Sequence, residues 1–314
     1  MASQPTGVQV WLNGKIISAE EARLPHLTHS FHYGLAAFEG IRAYQTRPGR
    51  GAIFRLKDHI RRLQESCKVT TLDRGFKITG DELTQGCISA LQANQLDSGY
   101  IRPVVYIADG AMGIGAQNNA VHAMIAAWKW GAYLGEEGLK NGIRCRISSF
   151  QRPGHATVMS KAKINGQYVN SILAKREAAA SGFDEAILLN EQGYVTEASG
   201  ENVFMVQGGK LVTPPLGLNI LGGITRATVL QIARDQGIET VERLFARDEL
   251  YCADEVFLTG TAAEVTPVRD VDGRQVGIGS RGPITELLQH EYFETVQGRR
   301  DEQYGHWLTY YDVG

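Results

Sequence analysis

Apolar residues recur along the chain in two rhythms, a period of two that marks strands and a period near 3.6 that marks helices. Residues 8–12 alternate and run into Asn13-Gly14, which predicts a hairpin. Ile60 and Leu63 share one face of a helix expected to start on a cap at Asp58, and Leu83, Cys87 and Leu91 line a second. Residues 100–108 and 120–128 read as strands, the second rich in Ala and Ile as a buried strand should be. The glycine-rich, charged stretch 131–142 is expected to be a linker. It would join a small N-terminal α/β domain, 1–130, to a larger domain, 143–314. Beyond it a strand carrying Lys163 leads into a helix over 167–180, with Gly182 as its C′ residue. Strands at 185–189, 194–196, 202–206, 211–213, 255–259 and 265–271 follow, with helices at 225–236 and 283–296. Hairpin turns are frequent among these elements, which predicts an α+β architecture with antiparallel parts rather than a doubly wound parallel sheet.

The composition narrows the function classes. A net charge of −2 gives no electrostatic case for nucleic acid or an anionic membrane. No apolar run is long enough to cross a bilayer, and the first ten residues lack a basic segment followed by an apolar one. The four cysteines lie far apart without metal-ligand spacing and are expected to be reduced, in a cytoplasmic protein. His26, His29 and His32 are spaced by three, but Pro25 argues for extended chain, where residues three apart face opposite ways, so no metal is expected. Gly277, Gly279 and Gly282 match the dinucleotide fingerprint by letter. They sit too near the C-terminus to open a full βαβ unit, and a turn before the last helix is expected.

Five features carry candidate chemistry. Lys163 stands among small residues in Ala162–Tyr168, where a desolvated amine becomes a nucleophile toward an aldehyde and the Tyr168 phenol can hydrogen-bond a ring oxygen. Gly222-Gly223-Ile224-Thr225 runs straight into a helix, whose first N–H groups favour an anion. Thr259-Gly260-Thr261-Ala262-Ala263 forms a second donor-rich loop at a strand end. Arg62 can close a phosphate site as a charged donor. Glu197 is a carboxylate among small residues, the partner a pyridine nitrogen needs to stay protonated. An amine, a phenol, a carboxylate and two phosphate-binding loops meet the needs of pyridoxal 5′-phosphate.

On these residues the chain resembles the branched-chain-amino-acid aminotransferases, class IV pyridoxal-phosphate enzymes of fold type IV. Further blocks carry the resemblance: His32-Tyr33-Gly34, Phe38-Glu39-Gly40-Ile41-Arg42-Ala43-Tyr44, Tyr100-Ile101-Arg102-Pro103, Trp130-Gly131-Ala132-Tyr133 and Gly260-Thr261-Ala262-Ala263-Glu264. The resemblance implies a barrel-like mixed or antiparallel sheet in the larger domain, with the cofactor between the domains. It implies Lys163 as the Schiff-base lysine, Tyr168 at the ring hydroxyl, Glu197 at the ring nitrogen, and Arg62, Ile224, Thr225 and Thr261 at the phosphate. Lys161, two residues earlier, is expected to point the opposite way. The resemblance also implies a substrate pocket lined by Tyr33, Phe38, Trp130 and Tyr168. Arg102 would bind the glutamate side chain, and Tyr100 with the N–H groups of Thr261 and Ala262 the α-carboxylate. A loop holding Met112 and Ile114 would reach a second subunit in at least a homodimer. Transfer of amino groups between leucine, isoleucine or valine and 2-oxoglutarate is the expected reaction. A D-amino-acid or (R)-amine transaminase of the same fold is the alternative.

Overall fold

The computed structural model describes residues 7–131 and 133–314. Residues 1–6 of the N-terminal segment and Ala132 of the 130–133 block lie outside the described residues. The chain forms two compact units. The first holds the chain up to Trp130, Ala162–Gly166 and Thr295–Gly314, and the second holds Gly131–Lys161 and Gln167–Glu294.

The first unit is built from β1 (Gln9–Leu12), β2 (Lys15–Ser18), α1 (His29–Tyr33), β3 (Ala36–Phe38), β4 (Ile41–Arg47), β5 (Arg50–Phe54), α2 (Leu56–Val69), α3 (Gly80–Ala93), β6 (Gly99–Ile107) and β7 (Val121–Trp128). Its strands pair antiparallel throughout, so it is a two-layer α+β unit rather than α/β. Ile60, Leu63 and Cys67 of α2 and Leu83, Cys87 and Leu91 of α3 are buried with Trp11, Ile41, Ile53, Ile101 and Ile125 of the sheet. α3 starts on a capping box in which Thr79 and Glu82 each bond the other's backbone N–H. α2 does not start at Asp58. It begins two residues earlier, after Arg55 in the left-handed region, and Asp58 lies in the first turn holding Arg55 and Arg61. α1 also departs from expectation: the histidine segment is a short helix rather than extended chain. Its His32 and His29 imidazoles meet the carbonyls of His26 and Gly113 at 2.7 and 2.9 Å.

The second unit contains α4 (Glu136–Asn141), β8 (Ile143–Ile147), α5 (Tyr168–Ala180), β9 (Glu185–Leu189), β10 (Val195–Ala198), β11 (Asn202–Gln207), β12 (Lys210–Thr213), α6 (Ile224–Asp235), β13 (Thr240–Glu242), α7 (Arg247–Tyr251), β14 (Glu255–Gly260), β15 (Glu264–Val271), β16 (Arg274–Gln275) and all but the last two residues of α8 (Pro283–Val296). Six of its strands close on themselves in the order β10-β9-β8-β15-β14-β11 and back to β10. Parallel pairs at β8–β9 and β8–β15 make the barrel mixed. Closure leaves these six strands without a free edge of their own and gives Val203, Met205, Leu258, Val268 and Ile187 a common interior.

Two boundaries differ from the expected ones. The 131–142 stretch is not a bare linker: Gly135 and Gly142, with positive φ, bracket α4, and its Gly138 is buried in the second unit. After α8 the chain returns to the first unit with α9 (Asp301–Tyr304) and β17 (Leu308–Asp312), and β17 pairs with β5 at the sheet edge. Ala162 and Ile164 likewise belong to the first unit's core, because Ile164 bridges to Ala37 and both residues are buried there.

Candidate active site

In the first unit Lys163 is fixed by its own backbone. Its N–H donates to Ser66 Oγ at 3.0 Å, its carbonyl accepts from Phe38 N–H at 3.1 Å, and Ile164 bridges to Ala37. Its side chain is half-buried, with Nζ 5.0 Å from the centroid of the Phe38 ring. Lys161 is exposed in a turn. The alternation expected to separate the two lysines does not do so, since residues two apart in a strand share a face. The turn at Lys161 and Ala162 separates them.

The same ring meets a second cation. Arg102 Cζ lies 5.0 Å from the Phe38 centroid and 5.4 Å from that of Tyr100, and Arg102 Nη2 donates to Tyr100 Oη at 3.2 Å. Arg102 Nε is buried with no protein partner among the described residues. Trp130 closes edge-on against Tyr100 at 4.6 Å, and its carbonyl accepts from Arg42 Nη2. Strand register explains the cluster. Arg42 pairs with Tyr100 and Tyr100 with Trp128, so their side chains share the sheet face on which Arg102 also lies. Tyr33, Met112 and Ile114 are exposed and outside this cluster, with Ile114 91% exposed.

Arg62 makes a two-pronged contact with Glu39: Nε to Oε1 at 2.6 Å and Nη2 to Oε2 at 2.8 Å. His59 Nδ1 reaches the same Oε2 at 2.7 Å. Glu39 and His59 went unnoticed as functional residues in the sequence, although a buried polar stripe at 59, 62 and 66 on one helix face was there to be read.

In the second unit Glu197 is buried. Oε1 meets Arg152 Nη2 at 2.8 Å, and Oε2 accepts from Leu221 N–H at 3.0 Å and Asn202 Nδ2 at 3.2 Å. Glu197, Asn202 and Thr259 form one row across β10, β11 and β14. Thr259 Oγ1 in that row is buried without a protein partner among the described residues. Leu221 leads through Gly222-Gly223 into α6, where Ile224 and Thr225 are buried. Gly223 permits this approach, since a Cβ there would lie 1.9 Å from Asn202 Oδ1. No side chain caps α6 and no acidic residue sits in its first turn, so its N–H groups are open to an anion. The fingerprint-like glycines precede α8, whose first N–H groups are taken by the Glu255 carboxylate at 2.9 and 2.7 Å, where a pyrophosphate would have to sit. Thr261 and Ala262 lie half-buried in the β14–β15 turn, which closes on Glu264 at φ 56, and Tyr168 opens α5 half-buried. Arg152 carried no sequence signal, because 45 residues separate it from Glu197 (197 − 152 = 45). Glu201, also in the 197–202 block, is pushed up to about 8 by burial and by the charge of Glu185.

The family model of Amino-transferase class IV matches residues 36–271. A branched-chain-amino-acid aminotransferase of Pseudomonas aeruginosa is 46% identical over 300 residues, covering 96% of each chain. One of Escherichia coli is 41% identical over 300 residues, covering 95% of this chain and 96% of its own. Among solved structures, the T.th. branched-chain amino acid aminotransferase with pyridoxamine 5′-phosphate superposes with a TM-score of 0.92 at 46% identity, covering 98% of this chain and 99% of its own. The same enzyme complexed with N-(5′-phosphopyridoxyl)-L-glutamate gives 0.91 at 45% identity, with the same coverage. With the family model matching residues 36–271 and near-complete overlap at these identities, the chain belongs to the class IV aminotransferases and, within them, to the branched-chain-amino-acid aminotransferase family.

Proposed function

We propose that this protein transfers amino groups between branched-chain L-amino acids (leucine, isoleucine and valine) and 2-oxoglutarate, using pyridoxal 5′-phosphate attached at Lys163. The observation that carries this reading is the Phe38 ring, which has the Lys163 amine 5.0 Å from its centroid and the Arg102 guanidinium at the same distance. An amine nucleophile, an apolar wall and a carboxylate-binding cation thus stand together.

The residues present fit the cofactor. An uncapped helix start, the Thr259 hydroxyl that has no partner among the described residues and a buried carboxylate held by an arginine suit a phosphate and a protonated ring nitrogen. When bound, the cofactor supplies an aldehyde carbon that takes up the amino group and a ring that draws electron density from the substrate Cα. Glu197 would hold the proton on the ring nitrogen. Ile224, Thr225, Thr261 and Arg62 would hold the phosphate, and the Tyr168 hydroxyl would meet the ring hydroxyl. Lys163 Nζ, freed when the substrate amine takes its place, would take the proton from Cα and deliver it to the carbon that carried the aldehyde.

Phe38, Tyr33, Tyr168 and Trp130 exclude water around an apolar branched side chain, and Arg102 pairs with the distal carboxylate of glutamate. The N–H groups of Thr261 and Ala262 and the Tyr100 hydroxyl orient the α-carboxylate. Because one pocket serves both substrates in turn, ping-pong kinetics follow. The protein acts as at least a homodimer in the cytoplasm, with the exposed Met112–Ile114 segment of one subunit reaching the other's site. Among the described residues no helix is long and apolar enough to cross a membrane.

The test is a half-reaction panel on the purified protein, followed at the cofactor absorbance, with L-leucine, L-glutamate, D-alanine and (R)-1-phenylethylamine. L-Leucine and L-glutamate should convert the absorbance fastest, and Lys163→Ala should remove both the bound-aldehyde band and turnover. Full activity of Lys163→Ala ends this reading, and preference for D-alanine or the (R)-amine replaces it with the alternative of the same fold.

A further inference from the structure

α2 carries three polar residues on one buried face, His59, Arg62 and Ser66, and all three converge on parts of the first unit. Glu39 is fully buried and accepts three hydrogen bonds, from Arg62 Nε and Nη2 and from His59 Nδ1. A buried carboxylate with both oxygens occupied admits one guanidinium orientation, because rotating Arg62 would break the paired bonds and strand a charge. Burial lowers His59, against the opposing pull of Glu39, and so favours a neutral imidazole that donates from Nδ1. Burial also works to raise Glu39, but the Arg62 guanidinium, and then His59, hold it well below its ordinary value. The trio therefore stays a matched ion pair with a neutral brace. One turn on, Ser66 Oγ donates to the Arg62 carbonyl at 2.9 Å and accepts from the Lys163 N–H at 3.0 Å.

We propose that Glu39, braced by His59, is a positioning residue that aims Arg62 at the cofactor phosphate, one helical turn before the Ser66 that seats the Lys163 backbone. The proposal rests on the assignment of Arg62 and Lys163 made above. A purely structural ion pair would lower stability without regard to which vitamer binds.

The experiment compares pyridoxal 5′-phosphate with pyridoxal, which lacks the phosphate, in binding titrations of the cofactor-stripped protein read at the imine absorbance, with melting curves alongside. Glu39→Gln should weaken pyridoxal 5′-phosphate by roughly ten- to a hundredfold, the range for losing a partner that orients a binding side chain, and leave pyridoxal within about twofold of the wild type. Glu39→Asp keeps the charge but draws the carboxylate back by one methylene, and it should show the same phosphate-selective loss. It serves as the second variant should Glu39→Gln not fold. Equal weakening of both vitamers, or a lowered melting temperature with both affinities intact, overturns the proposal. A wild type that forms no imine removes the Lys163 assignment itself, which is a separate result from loss of selectivity in the Glu39 variants.

Discussion

Arg152→Gln tests whether the buried charge behind Glu197 matters to the chemistry. Arg152 Nη2 lies 2.8 Å from Glu197 Oε1, and the two side chains are 10% and 8% exposed, so solvent screens the pair little. The variant leaves the carboxylate its neutral donors, Leu221 N–H at 3.0 Å and Asn202 Nδ2 at 3.2 Å. A hydrogen bond to a charged group is worth about 1.5–3 kcal/mol, against roughly 1 for a neutral pair. Its loss therefore withdraws on the order of 2 kcal/mol from the carboxylate, a factor of about 30 in equilibrium. Arg152 Nε also holds the carbonyl of Asn219, a left-handed residue at φ 56 in the loop that leads to α6, so some mobility there follows.

The assay is a pH titration of the visible spectrum of the loaded protein, with kcat and KM for leucine across the same range. The expected result is a spectral transition displaced by more than a unit and a kcat roughly ten- to a hundredfold lower, the usual cost of losing a supporting partner. KM should change little, because Arg152 acts behind the ring rather than on the substrate. Arg152→Lys, which keeps the charge without the planar fork, should fall between. A folded Arg152→Gln protein with the wild-type spectral transition and kcat refutes the reasoning.

Three further outcomes are expected. Arg102→Ala should damage turnover of glutamate and 2-oxoglutarate far more than of leucine if Arg102, whose Nε has no partner among the described residues and whose Nη2 donates to Tyr100, serves a carboxylate as proposed; equal losses in steady-state assays would end that role. Gly40→Ala would place a Cβ 1.9 Å from Tyr100 Oη and displace that ring, so KM for both substrates should rise while the absorbance of the bound cofactor persists; unchanged KM values would contradict the assigned position of Tyr100. Glu201 is raised from 4.5 to about 8, so the unfolded chain releases this proton first and native stability falls as pH climbs through that window. Glu201→Gln removes the titration, and its stability should stay flatter than the wild type's over that range in chemical denaturation; parallel curves would rule the mechanism out.

Features set by neighbours in sequence were legible from the letters alone. The Asn13-Gly14 turn joins β1 to β2. Gly182, at φ 78, follows α5 with the paired bonds of a left-handed helix end. Gly237 ends α6 in the same way at φ 73. Such signals survive because a turn or cap is decided by the conformational freedom and hydrogen-bonding reach of a few adjacent residues. The chemistry-bearing residue types were legible for a related reason: an amine, a carboxylate and small-residue loops are recognisable wherever they fall. What the chain could not disclose locally is who holds them. The Glu39–Arg62 fork spans 23 residues, and the strand pair β5–β17 joins Arg50–Phe54 to Leu308–Asp312. The face of α2 that bears Arg62 is tied to Lys163 across 97 residues. These contacts exist only once burial has removed water as the competing partner, and that removal is a property of the packed fold rather than of any segment.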